Sequence, residues 1–231
     1  MKKNIFFFLA LVFVCCCNKN SETDDGLSGW YENVKKVLGE DFITPEEISA
    51  TCRIQYSPQQ LIYFMDHPPD YDNIIWCKNN GFMLVAGPPN DMNLLQIRHS
   101  MEKTLFCNQY WYTGEWFGKN DWVKPSWLMV RKREVPHSKH KNWMEQKTLV
   151  RQPEYIPNVA ELAWAVIMYK KVRGVYLLPN YMLRTSSVSD DGHHVEVGKF
   201  DEGGLLLTHF SLDYNNRNKL MGIASARPPK N

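Results

Sequence analysis

The sequence predicts an α+β protein: one prominent amphipathic helix followed by an antiparallel strand meander, with an additional helix and hairpin portion ahead of them. Three observations carry this. Asn158 to Gly174 reads as a complete helix of about four turns, with Val159, Leu162, Val166 and Tyr169 repeating at helical spacing. After Pro179 the chain breaks into short apolar runs separated by Asp190-Asp191-Gly192, Asp201-Glu202-Gly203-Gly204 and Asn215-Asn216-Arg217-Asn218. Ahead of both, Thr44 and Ser57 each open a proline-started helical segment. Helices gathered before a run of strands belong to the α+β class.

The elements follow in chain order. The first seventeen residues, MKKNIFFFLALVFVCCC, pair a basic start at Lys2 and Lys3 with an unbroken apolar run over 5–14. That run is too short for a resident transmembrane helix, which needs about 20 residues. It is expected to be an export signal over 1–16 and to take no part in the fold. Residues 17–29 read as a hydrophilic tether, and one globular α+β domain is expected over 30–231. Thr44-Pro45-Glu46-Glu47 and Ser57-Pro58-Gln59-Gln60 each place a hydroxyl cap three residues before an acid or amide that can close a capping box. Residues 74–77 and 82–86 flank Lys78-Asn79-Asn80-Gly81, whose Asn-Gly predicts a hairpin. Leu94, Ile97, Met101 and Leu105 predict one helix across 91–106.

Residues 110–127 hold Tyr110, Trp111, Tyr112, Trp116, Phe117, Trp122 and Trp127. Exposed, they would make a sugar-stacking platform; buried, each fills about 150–250 Å² of core, and burial is the preferred reading because tryptophan is costly to expose. The basic stretch from Arg131 to Arg151 reads as solvated surface. Asn158 caps the long helix with Glu161 at its third position, and Lys170, Lys171 and Arg173 complement its C-terminal dipole before Gly174. Strands are expected over 182–187, 193–200, 205–210 and 220–226. Val195 and Val197 alternate with polar neighbours, as in a half-buried strand.

Composition bounds the chemistry. The 231 residues are 44% hydrophobic and 13% aromatic, enough for a substantial core. Formal charge is +2, and loss of Lys2 and Lys3 with the signal leaves 25 basic against 25 acidic residues. A balanced chain is no general polyanion binder, and no nucleic acid partner is expected. Cys52, Cys77 and Cys107 lie beyond the signal, too widely spaced for a structural zinc site; an odd number permits one disulfide at most, and the preferred reading is of small apolar residues.

The apolar run followed by cysteines resembles bacterial lipoprotein signals. Of Cys16 and Cys17, Cys17 is the expected acylation site, with Val14 three residues upstream. The acid-rich Ser21-Glu22-Thr23-Asp24-Asp25 resembles tracts that direct lipoproteins outward. An exported, lipid-anchored protein at the outer membrane or cell surface follows. A second resemblance covers 153–228. Pro157-x-x-x-Glu161-Leu162 at a helix start, the strand Arg184-Thr185-Ser186-Ser187 and the ending Ala224-Ser225-Ala226-Arg227-Pro228 resemble bacterial C-type-lectin-like domains. That group includes formylglycine-generating enzymes and retroelement-diversified binding proteins. The resemblance implies a binding scaffold. Neither calcium motif of the lectins, Glu-Pro-Asn or Gln-Pro-Asp, is present, and Cys107 is the last thiol, so neither calcium-dependent sugar binding nor the enzymes' cysteine chemistry is implied.

The candidate ligand-binding residues are Thr208, His209, Ser211, Asp213, Tyr214, Asn215, Asn216, Arg217 and Asn218. Tyrosine gives contact area, and Asn, Ser and Asp adaptable hydrogen bonds, as in binding loops. The same composition suits an ordinary polar turn. In retroelement-diversified relatives the varied positions lie in this region. His193, His194, His209, Asp190, Asp191 and Asp213 are the residues that could gather for metal or acid–base chemistry. Adjacent histidines in a strand face opposite ways, so His193 and His194 cannot share an undistorted ion. No catalytic residue, metal ligand or cofactor is therefore nominated. The expected function is surface recognition of a protein or glycan; the alternatives are a structural part of a surface assembly and a hydrolytic or metal-dependent exported enzyme.

Overall fold

A computed structural model describes residues 24–209 and 219–229 of the chain. Helix α1 (Asp24–Leu38) leads through a 3-10 turn into strand β1 (Phe42–Ile43). Then come α2 (Pro45–Thr51), α3 (Pro58–Asp66), α4 (Tyr71–Asn80) and β2 (Phe82–Ala86). The middle of the chain supplies β3 (Met92–Asn93), α5 (Leu94–Ser100), α6 (Trp116–Asn120), β4 (Trp122–Val123), β5 (Trp127–Arg131) and α7 (Trp143–Lys147). The last third is α8 (Val159–Arg173) with strands β6 (Met182–Val188), β7 (His194–Asp201), β8 (Gly204–Thr208), β9 (Met221–Ile223) and β10 (Ala226–Arg227). The protein is a mixed α+β fold.

Two four-stranded sheets flank α8. The first has the order β1-β2-β5-β10 and the second β8-β7-β6-β9; β3 and β4 form a separate pair. In the second sheet β6, β7 and β8 run antiparallel in sequence, whereas β9 joins the far edge parallel to β6. The single strand expected over 220–226 is corrected to two, β9 and β10: only Ala224 and Ser225 separate them, and the C-terminal segment passes there from one sheet to the other. A bridge from Phe106 to Leu205 ties the halves of the chain together, and another joins Tyr155 to Ala226.

The helix α8 packs against β1 and β5 of the first sheet and β6 and β7 of the second. Ten of its residues are buried, including consecutive ones from Leu162 to Tyr169. The expectation of an amphipathic helix is corrected here: apolar side chains all round a helix mark one enclosed by protein. Its charge is confined to Glu161 in the first turn and Lys170, Lys171 and Arg173 in the last. Asn158 and Glu161 form the expected reciprocal cap, and Gly174 ends the helix at φ 73°. The indole of Trp164 donates to the Ala86 carbonyl at 2.9 Å, fastening α8 to the end of β2. At its other end, the Arg173 guanidinium donates to Glu47 at 2.8 Å and to the Glu40 carbonyl at 2.9 Å.

The helices α2 and α3 begin as expected, with the capping boxes Thr44–Glu47 and Ser57–Gln60 complete. Three other expectations fail. Residues 74–77 are part of α4, not of a hairpin: Gly81 is its left-handed cap at φ 70°, donating to the Cys77 carbonyl. Asn73, Ile74 and Cys77 face inward at helical spacing, and the Asn80 amide donates to the Trp76 carbonyl at 2.8 Å. Next, the apolar set Leu94, Ile97, Met101 and Leu105 is buried, but α5 covers only Leu94–Ser100. Asn93 caps that helix from strand β3, which fixes its start, and the chain is extended at Met101. Third, α1 starts at Asp24, inside the stretch read as tether.

Of the aromatic stretch, Tyr112, Phe117 and Trp127 are core, and Tyr110 and Trp116 stand out of it. Part of the basic stretch is structural rather than merely solvated. Lys132 donates to both Asp41 oxygens at 2.7 Å, and Arg131 lies 4.7 Å over the Phe82 ring. Cys52 and Cys77 are buried and Cys107 is half-buried, all three as free thiols. Burial pushes the Cys77 thiol up to about 12. Among the described residues no helix is long and apolar enough to cross a membrane. The leader and Cys17 lie outside the described residues.

Candidate functional site

The site sits where the turn between β6 and β7 meets the end of β8. Ser189 and His193 close a short loop: the Ser189 N–H donates to the His193 carbonyl at 2.9 Å, and the Gly192 N–H to the Ser189 carbonyl at 2.8 Å. Gly192 takes φ 86°, the left-handed geometry that a three-residue hairpin loop needs at its last position. Asp191 is thereby presented at the tip. Its Oδ1 accepts from the Ser189 hydroxyl, and its Oδ2 lies 3.0 Å from His193 Nδ1 and 3.3 Å from His209 Nδ1. The Ser189 hydroxyl first, and His193 next, hold the Asp191 carboxyl well below the usual carboxylate range.

The other side of the turn is clamped to α6. Asp190 Oδ1 accepts from the Trp116 N–H at 3.2 Å, while the Asp190 N–H donates to Glu115 Oε2 at 2.7 Å. This exchange has the logic of a capping box, with the capping carboxylate supplied from another element. It holds the Trp116 ring at the surface, 62% exposed. Trp111, in a 3-10 turn over Trp111–Thr113, donates its indole N–H to the Leu207 carbonyl at 3.2 Å. The His209 ring leans on it at 4.4 Å.

Beneath His209 is a buried polar cluster. Arg184 and Glu196, each side chain only 2% exposed, face one another across β6 and β7 with Nε to Oε1 at 3.6 Å. Arg184 also donates to Gln146 Oε1 at 3.0 Å, and the Thr208 hydroxyl to Glu196 Oε2 at 2.9 Å. The expectation that β7 is a half-buried strand with polar residues outward is corrected by Glu196: α7 covers the outer face, and Trp143 stacks on His194 at 3.5 Å. Burial lowers the pKa of both Arg184 and His194.

Of the candidate binding residues, Thr208 and His209 lie at the end of β8 as just described. Ser211, Asp213, Tyr214, Asn215, Asn216, Arg217 and Asn218 lie outside the described residues. The two ends of their segment are fixed at opposite edges of the second sheet. Thr208 closes β8, and the Leu220 carbonyl accepts from the Met182 N–H at 2.9 Å beside β9.

Among the residues with chemical potential, the structure gathers Asp191, His193 and His209, one ligand atom of each within 4.8 Å of the others. Asp190 is turned to Trp116 instead, and His194 faces away from His193 onto Trp143, as strand alternation requires. Sequence reasoning missed the support of Trp111, Glu115 and Arg184, since none lies near its partner in the chain. A separate groove of about 620 Å³ opens on the opposite half of the chain, lined by Ile54, Pro89, Met92, Leu95 and His99 among others. The chain matches no protein-family model, no curated protein and no solved structure.

Proposed function

We propose that the chain is an exported binding protein, lipid-anchored through Cys17, whose segment 208–218 meets a protein or glycan ligand at the outer membrane or cell surface. In this reading the protein is not an enzyme. Its unit over 153–228 is read as C-type-lectin-like on the succession of the capped helix α8 and the meander of β6, β7 and β8. The export signal and the acid-rich tract behind it supply the address. Stable anchoring requires more than one acyl chain, as lipoproteins carry.

One observation carries the reading. A polar segment that holds Tyr214 and three asparagines starts from Thr208 and His209 at one edge of the second sheet, near the turn whose Asp190–Glu115 exchange holds Trp116 outward, and returns at Leu220 beside the other edge. Binding residues set on loops over a rigid scaffold lose little freedom on association. The test uses the mature chain on a glycan array and against immobilised surface proteins of the producing cell. Replacing Tyr214, Asn216 and Arg217 together by Ala is expected to leave the circular dichroism and melting temperature unchanged while lowering binding at least tenfold. Unchanged binding by a folded triple variant overturns the proposal.

A further inference from the structure

We propose that Asp191, His193 and His209 form a binding site for a divalent cation of the Zn²⁺ class. The three come from two elements, the β6–β7 turn and the end of β8, and their ligand atoms lie within 4.8 Å of one another. Asp191 Oδ2 stands 3.0 Å and 3.3 Å from the two Nδ1 atoms. A tetrahedral Zn²⁺ with bonds of about 2.0–2.2 Å sets its ligand atoms roughly 3.4 Å apart. The two carboxylate–imidazole spacings are thus already near that value, and side-chain torsion suffices for the rest.

The donor set selects the ion. Two imidazoles and one carboxylate suit Zn²⁺ and its neighbours in the first transition row, whereas Ca²⁺ and Mg²⁺ require mostly oxygen. Asp191 is half exposed while the histidine side chains are 23% and 26% exposed, so the cluster opens to solvent on the side of the carboxylate, which leaves that side for water as a fourth ligand. The ligands are held from behind. The Ser189 hydroxyl donates to the carboxylate oxygen that faces away from the histidines, and the Trp111 ring backs His209. Such outer contacts orient ligands and raise metal affinity. The Asp190 carboxylate on the same turn, and that of Glu115 just ahead of α6, which accepts from the Asp190 N–H, add negative charge beside the site.

A bound ion would bolt the β6–β7 turn to the residue that precedes segment 210–218, and so fix one root of that segment. The site stands whether or not the segment meets a protein or glycan, because the metal alone is the probe. Calorimetric titration of the full mature chain with ZnCl₂ is expected to show one equivalent bound. Co²⁺ in its place is expected to give the visible absorption of a low-symmetry, nitrogen- and oxygen-ligated ion. Affinity should fall at least tenfold in His193→Ala, His209→Ala and Asp191→Asn, each checked for native circular dichroism, and remain unchanged in His137→Ala. Zn²⁺ should raise the melting temperature of the parent chain and not of His209→Ala. Affinity within twofold of the parent in the two folded histidine variants, or no saturable Zn²⁺ uptake by the parent, overturns the proposal.

Discussion

At the scale of residues, Arg184 and Glu196 bear most on the site. Two opposite charges taken from water stabilise a fold only when their remaining donors and acceptors are met, and here Gln146 and Thr208 meet them. The Thr208 bond makes the pair part of the base of segment 208–218. Removing one partner leaves a buried charge alone. Arg184→Met is therefore expected to cost about 3–5 kcal/mol in urea unfolding at pH 7, and the double variant Arg184→Met, Glu196→Gln to recover a large part of it. An Arg184→Met variant as stable as the parent would show that water reaches Glu196. Nothing in the sequence disclosed this pair. Glu196 sits between Val195 and Val197, and its alternation with them is what a solvated strand face also produces.

At the scale of elements, the helix starts were legible because a capping box is local: a side chain and a backbone three residues away decide it. Thr44, Ser57 and Asn158 all cap as their spacing indicates. The failed hairpin at 74–86 has an equally physical cause. Asn-Gly serves both a tight hairpin turn and a left-handed helix end, and only the packing of Ile74 and Cys77 into the core separates them. The caps also differ in weight. Asn158 accepts from the Glu161 N–H at 2.9 Å and donates to the Trp122 carbonyl at 3.0 Å, joining α8 to β4. Asn158→Ala is expected to cost about 2 kcal/mol, a cap of about 1 kcal/mol plus one further hydrogen bond of similar size. Ser57→Ala, at the more exposed α3, should cost about 1 kcal/mol. Equal losses in denaturant unfolding would remove the coupling assigned to Asn158.

At the scale of the whole molecule, the sequence indicated the α+β class and the order helix then strands, and little of how they assemble. The placing of α8 between two sheets rests on contacts between residues far apart in the chain, such as Trp164 with Ala86. The same holds for the site. His193, His209 and Asp191 were recognisable as chemically able residues, but their meeting depends on β8 lying beside β7 in register, with Thr208 opposite Glu196. The proposal places the ligand at the side of the molecule where Trp116 and His209 are exposed. The groove near Ile54 and His99 is the competing surface. Hydroxyl-radical footprinting of the protein, free and with the glycan or surface protein proposed as its ligand, tests this most directly. Protection of Trp116, His209 and 210–218, with Met92 and His99 unchanged, is the expected result; protection centred on Met92 and His99, with Trp116 and His209 as reactive as in the free chain, would contradict it.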